Sequence, residues 1–294
     1  MFYRGEPWSD GVEAPDLSGW LYDSDSSVLT LDNFTWNTLA PDALVILGAN
    51  HLTIHLADGS SNSIISACDV GEDDSSGIYV YNCSLTIQGT GTLNVRGGPA
   101  NFTSYGICLE FGDITINSGT VVATSGNSYD ESYGIYVKEN MLIRGGTVTA
   151  KGGETTGESS MSFGINAYEI IISGGTVTAT GCVSAMSGED EGGVSVTAEK
   201  YTYWTNTEAS AAGAMGPVNG STIPFENAAE PPYKYVKIAP AAETYTITFD
   251  SQGGSEVAPI TDIAKDATVT LPAAPTKADF VFCGWFTDDT TFLN

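Results

Sequence analysis

A short phrase centred on glycine recurs in this chain at a nearly constant step: SGIYV at Gly77, YGICL at Gly106, YGIYV at Gly134, FGINA at Gly164 and GGVSV at Gly193. The intervals are 29, 28, 30 and 29 residues. A period this short and steady belongs to a chain that winds and packs each turn on its neighbours, not to a closed globule. A second phrase keeps the same step, with GTLNV at Gly91, GTVVAT at Gly119, GTVTA at Gly146 and GTVTAT at Gly175. Between the two lies a short apolar stretch, at residues 85–87, 114–116, 141–143 and 170–172. Each period therefore holds three short strands separated by Gly, Asn, Ser and Asp turns, and no stretch carries helical spacing of apolar residues. The expected fold is all-β, a right-handed parallel β-helix with three strands per coil.

Alternation within a strand tells inside from outside. In the first strand the expected inward residues are Ile78 and Val80, Ile107 and Leu109, Ile135 and Val137, Ile165 and Ala167, Val194 and Val196. In the third they are Leu93, Val121, Val148 and Val177, followed by Val95, Ala123, Ala150 and Ala179. Thr92, Thr120, Thr147 and Thr176 face out as a ladder of β-favouring hydroxyl residues. The pattern extends back through residues 43–65, with Leu44, Ile46, Leu52, Ile54, Leu56 and Ile64 inward, and residues 28–31 read as part of a still earlier coil. That makes about six coils, a stack roughly 29 Å long at about 4.8 Å per coil.

Thirty-six acidic residues against ten basic ones leave a formal charge of -26. Phosphate recognition needs a basic stripe, and none of the repeats has one, so a nucleic-acid partner is excluded. A cationic partner, a neutral glycan, or an acidic glycan bridged by calcium suits this charge. The five cysteines, Cys68, Cys83, Cys108, Cys182 and Cys283, lack zinc-ligand spacing, and their odd count argues for free thiols over a disulfide framework. No apolar run is long enough to span a membrane. The start, MFYRGEPWSDG, lacks the regions of a secretory signal, while the Thr, Ser, Gly and Asn content reads as extracellular or envelope protein, so a longer multidomain parent is expected.

The period fails after Trp204, where an irregular stretch precedes a strand at residues 233–238 that is expected to cap the coil, closing a unit of residues 1–240 that also has an N-terminal cap. From Tyr245 the chain reads YTITFDSQGGSEVAPITDIAKDATVTLPAAPTKADFVFCGWFTDD. With Phe249, Gly253, Gly254, Pro272, Pro275, Gly284 and Trp285 in order, residues 245–294 resemble a partial Listeria/Bacteroides repeat, also called the internalin B-repeat. The resemblance implies a small β-grasp-like module, cut short before its last strand, of a kind found on bacterial surface proteins in stalk or adhesion roles.

The coil carries its own resemblance, in LTIHLADGSSNSI from Leu52, SLTIQGTGTLNV from Ser84, ITINSGTVVAT and IIISGGTVTAT. These phrases resemble a family of secreted β-helix proteins described as carbohydrate-binding, some of which bind acidic plant polysaccharide with calcium. The Asn of LADGSSN suits a bend whose amide bonds inside the corner.

Two features are candidates for binding. The outward row of the first strand reads Val45, Tyr79, Cys108, Tyr136, Asn166, Ser195, in which Tyr79 and Tyr136 stand two coils apart and could stack a polysaccharide or cell-wall glycan, with Asn166 beside them. Loops following the third strand carry Asp69, Asp73 and Asp74, then Asp130 and Glu131, then Glu189, Asp190 and Glu191, whose stacked carboxylates could share calcium. A β-helix lyase or hydrolase is the enzymatic alternative. It would need paired acids or a basic residue on a regular face, for which only Arg96, Lys138, Arg144 and Lys151 offer cations. The expectation is a noncatalytic surface protein that binds carbohydrate or mediates adhesion, with a plain structural stalk as the remaining alternative.

Overall fold

The computed structural model describes residues 2–3, 18–48, 50–69, 71–158, 160–197, 201–220 and 233–287. The chain divides into two compact units, Met1–Pro240 and Ala241–Asn294.

The first unit is a parallel β-solenoid with three columns of strands. Column one stacks Asp42–Leu47, Asp74–Tyr81, Thr103–Glu110 and the leading halves of Glu131–Ile143, Met161–Ile172 and Ser184–Val196. Six strands in this column enclose five full turns. Column two holds Val28–Leu31, His51–Leu56, Ser84–Gly89, Ile114–Ile116 and the trailing halves of the three long strands. Column three runs from Thr35–Thr38 through Ser61–Ser66, Thr92–Arg96, Thr120–Thr124 and Thr147–Lys151 to Thr176–Thr180. All three columns turn their apolar rows to one shared interior: Ile78, Ile107, Ile135, Ile87, Ile116, Leu93 and Val148 are each fully buried.

The recurring glycine is required by close approach. Strand one of each coil bends there and presses against the strand of column three that follows it in the same coil. A Cβ on Gly106 would lie 2.4 Å from the Gly134 carbonyl oxygen and 2.8 Å from the Thr124 nitrogen, and one on Gly134 would lie 2.5 Å from the Lys151 nitrogen. Two residues before each glycine stands a fully buried serine, Ser75, Ser104, Ser132 or Ser162. These hydroxyls satisfy corner backbone that would otherwise be orphaned. Ser104 Oγ donates to Gly98 O at 2.7 Å and accepts from Gly126 N at 2.8 Å. Ser132 Oγ donates to Gly126 O and accepts from Gly153 N, so the corners are sewn from coil to coil. Asn62 does the same at another corner. It is fully buried, accepts from Phe34 N at 2.9 Å, and donates to Ser60 Oγ and Thr92 O.

The last coil differs from the sequence reading. GGVSV does not continue column one: Gly193, Val194 and Ser195 pair with Glu169, Ile170 and Ile171, in column two. The true successor of FGINA begins at Ser184, with Met186 against Ile165 and Ser187 against Asn166. Only Gly181, Cys182 and Val183 separate Thr176–Thr180 from that strand, so the corner loop of earlier coils has shrunk and a fixed step overshoots. Ser195 therefore leaves the outward row, and Ser187 takes its place.

Antiparallel strands cap the stack. Trp20–Asp23 lies on Val28–Leu31, while Tyr235–Pro240 pairs with Thr176–Thr180 on one side and Tyr201–Asn206 on the other. The five cysteines are free. In the second unit Thr244–Ile247 pairs antiparallel with Ile260–Ala264, and Phe249 and Phe282 pack on Trp285 with ring centroids 4.8 and 5.1 Å apart. Its TFDSQGG turn passes through the left-handed region at Gln252 and Gly253, with Asp250 accepting the Gln252 N–H at 2.8 Å.

Candidate functional site

On the outer side of column one the register aligns Val45, Tyr79, Cys108, Tyr136, Asn166 and Ser187. Tyr79 and Tyr136 are two coils apart with Cys108 between them, as the period implied. The row is far less open than alternation alone suggests: Cys108 is 1% exposed, Asn166 5%, and both tyrosines are half-buried.

The cover comes from a second row that sequence reasoning missed. Asp42, Ser76, Tyr105, Tyr133, Phe163 and Ser184 are aligned by the same register. Strict alternation would put Tyr105 on the side of Ile107, but the bend at Gly106 resets the phase: Ser104 turns in and Tyr105 packs on the outward Tyr136, with centroids 5.7 Å apart. Tyr105 and Tyr133 stack at 5.5 Å and 11°, and Tyr133 and Phe163 at 5.6 Å and 9°. Tyr136 leans on Tyr133 at 5.1 Å. The signal was present in the residue before each glycine, which reads Tyr, Tyr and Phe at positions 105, 133 and 163.

The electrostatics of this face are one-sided. Burial, reinforced by the charge of Glu110, pushes the Tyr79 hydroxyl well up, and burial does the same to Tyr105. The Cys108 thiol is held far above its ordinary range by burial, with Glu110, Asp42 and Asp74 adding to it. Burial also raises the Asp42 carboxyl, the charge of Asp74 adds, and a hydrogen bond from the Ser76 side chain partly offsets both. Asn166 Oδ1 is buried and accepts no hydrogen bond, an exception that a built interior seldom leaves.

The acidic candidates separate into two places. Asp69, Asp73 and Asp74 share the corner between columns three and one with Asp130 and Glu131; Asp74 and Glu131 align in register with Thr103 between them. Asp74 Oδ1 accepts the Thr103 N–H at 3.1 Å. Glu189, Asp190 and Glu191 sit instead between Gly188 and Gly193, at the passage from column one to column two, and their side chains lie outside the described residues. Among the described residues no three His, Cys, Asp or Glu side chains converge to hold a metal ion. Of the cations weighed for catalysis, Lys138 lies over the Phe111 ring, 4.2 Å from its centroid.

A three-column parallel solenoid with an aromatic, acid-flanked outer face defines a repeat protein that presents one periodic surface. The chain belongs to the family described as carbohydrate-binding domain-containing protein, whose model matches residues 21–228, and so spans nearly the whole solenoid. Residues 245–292 match the Listeria-Bacteroides repeat domain. No curated protein and no solved structure matches the chain. Among the described residues no helix is long and apolar enough to cross a membrane.

Proposed function

We propose that this is a noncatalytic bacterial surface protein whose column-one face binds a carbohydrate chain lying along the solenoid axis. The observation that carries the reading is the pair of adjoining rows, Tyr105, Tyr133 and Phe163 beside Tyr79, Tyr136 and Asn166, within a chain of a carbohydrate-binding family. Aromatic rings offer apolar surface to the C–H faces of sugars, and tyrosine hydroxyls at the rim offer directional bonds to theirs. The unpartnered Asn166 acceptor supplies a further bond to a sugar hydroxyl once a covering side chain rotates. The repeat at residues 245–292 supports a surface setting. The outward row itself, Val45 to Ser187, contains no carboxylate, while Asp42, Asp74 and Glu110 flank it, so the noncatalytic part is decided by the assay for released chain ends.

Retention on a panel of immobilised neutral, acidic and amino polysaccharides tests this. The unmodified protein should be retained by at least one gel, and Tyr136→Ala should lose that retention while remaining folded by circular dichroism. Failure to bind any glycan leaves the stalk reading standing. Release of reducing or unsaturated ends on long incubation restores the lyase or hydrolase.

A further inference from the structure

The rings of the column-one face are buried or half-buried, yet a line of open ones runs along its edge. Tyr81 is 44% exposed, Phe111 45% and Tyr168 43%. Each stands where the chain leaves column one for column two. Tyr81 pairs with Glu110, the residue before Phe111, while Leu109 aligns with Val137 and Val137 with Ala167, so Lys138 and Tyr168 come next in their own coils. This corner thus presents Tyr81, Phe111, Lys138 and Tyr168 in successive coils. Tyr81 meets Phe111 edge-on with centroids 5.6 Å apart, and the Lys138 ammonium lies 4.2 Å from the Phe111 centroid. From Phe111 to Tyr168 is two coils, about 9.6 Å along the axis, close to a disaccharide repeat.

Phe111 is held there at a conformational cost. Its φ is 60°, in the left-handed region that a bulky side chain rarely enters. The equivalent residue one coil earlier is Asn82, with φ 53°, a residue type that enters this region readily. An asparagine at position 111 would make the same turn with less strain and would not hold a phenyl ring in water. Strain at Phe111, with exposed rings on both sides of it along the axis, is what a binding surface retains and a merely structural corner has no use for.

The width and charge of the strip select its ligand. It is one side chain wide, whereas a protein partner needs a broad apolar patch. Glu110 precedes Phe111, Glu139 follows Lys138 and Glu169 follows Tyr168, so an anionic polymer would meet repulsion beside every rung. A chain of uncharged sugars is one ring wide. Equatorial substituents leave C–H faces for the aromatic rings, and the hydroxyls at the edges accept from an ammonium and donate to carboxylates.

We propose that Tyr81, Phe111 and Tyr168 form a sugar-stacking strip along the corner between columns one and two, which takes an uncharged, equatorially linked polysaccharide with Lys138 donating to its hydroxyls. The strip goes beyond the column-one reading and shares none of the residues that carry it.

Native electrophoresis through gels cast with soluble β-1,4-mannan, soluble β-1,4-glucan or pectate tests the strip. The unmodified protein should be retarded in at least one of the two neutral gels. Phe111→Asn and Tyr168→Ala should each weaken that retardation about tenfold, as expected for one stacked ring. Tyr22→Ala, at an exposed tyrosine of the cap strand, should keep it. Phe111→Asn should also melt no lower than the parent, because it relieves the left-handed backbone. A much lower melting temperature for Phe111→Asn, with retardation kept by Tyr168→Ala, would make Phe111 a packing residue and overturn the strip. Parent and both corner variants retarded alike would overturn it as well, and a loss in Tyr136→Ala would then leave the column-one reading standing. Loss in the corner variants but not in Tyr136→Ala supports the strip and removes the column-one reading. Failure in both neutral gels, with or without binding to pectate, overturns the strip and leaves the column-one reading to the wider panel.

Discussion

Tyr105 and Tyr133 lie face to face, one coil apart in neighbouring parallel strands, with ring centroids 5.5 Å apart and planes 11° from parallel. The outer face of column one is thus a packed layer built over the sheet. Tyr133 is 5% exposed and touches Tyr105, Tyr136 and Phe163, so Tyr133→Ala removes three ring contacts and opens a gap. The expected loss is about 3 kcal/mol, whereas Tyr133→Phe keeps the stack and should cost about 1 kcal/mol or less. Chemical denaturation of the two variants measures the difference, and equal losses would place the ring outside the layer.

The glycine ladder makes a separate prediction. Gly106→Ala puts a methyl 2.4 Å from the Gly134 carbonyl oxygen, and neither partner is a flexible side-chain end. Adjacent coils must separate locally, at a cost of about 2 to 3 kcal/mol. Ala185, the last member of this column, already carries a methyl and is fully buried. Ala185→Gly should therefore cost only about 1 kcal/mol, chiefly in backbone entropy. Thermal melts that rank these two the other way would contradict the close approach.

At the corners, Ser132→Ala leaves the Gly153 N–H and Gly126 carbonyl without the hydroxyl they share. Ser125 Oγ also bonds Gly153 N, at 2.9 Å, so the donor keeps one partner and the loss should be moderate, about 1 to 2 kcal/mol. Among the described residues Gly126 N has Ser104 Oγ as its one acceptor, so Ser104→Ala should cost more, toward about 3 kcal/mol. Amide exchange at Gly126 and Gly153 reports each bond directly.

The interior was readable because two periodicities agree. Alternation picked out Ile107, Leu93 and Val148 as inward, and the step near 29 residues stacked them with Ile135, Val121 and Val177. Both signals are regular only while corners keep their length. The shortened corner at residues 181–183 shifted the last coil by a whole column, and Ser195 with it. The aromatic layer was hidden for a local reason: the bend at each glycine breaks alternation, so Tyr105, Tyr133 and Phe163 carry the phase of inward residues and sit outside. Tyr79, Tyr136 and Asn166 were legible as a row, but their burial depends on the neighbouring row.

The acidic corner leads to an expectation about metal. Asp74 already accepts the Thr103 N–H, and the described carboxylates do not gather in threes. Calcium at about 1 mM should move the melting temperature by less than about 1 °C relative to chelator, since only a ligand bound to the native state shifts it. A rise of several degrees would demonstrate a cage that the corner completes on binding.

Asp42 gives the pH dependence its sign. Burial raises its carboxyl above the ordinary 3.8, and the neighbouring Asp74 charge pushes the same way. The folded state therefore holds this proton more tightly than the unfolded state does. The resulting stability is fully present below the unfolded value and is lost as pH rises through the folded one. At pH 7 the carboxylate is ionised, desolvated and beside another acid. Asp42→Asn keeps an oxygen to accept from Ser76 and removes the charge, so the variant should melt higher than the parent at pH 7. The gap should close near pH 3.5, where the parent carboxyl is protonated as well. Melts at both values check this, and a variant that is less stable at pH 7 would mean that the charge itself is held by a favourable partner.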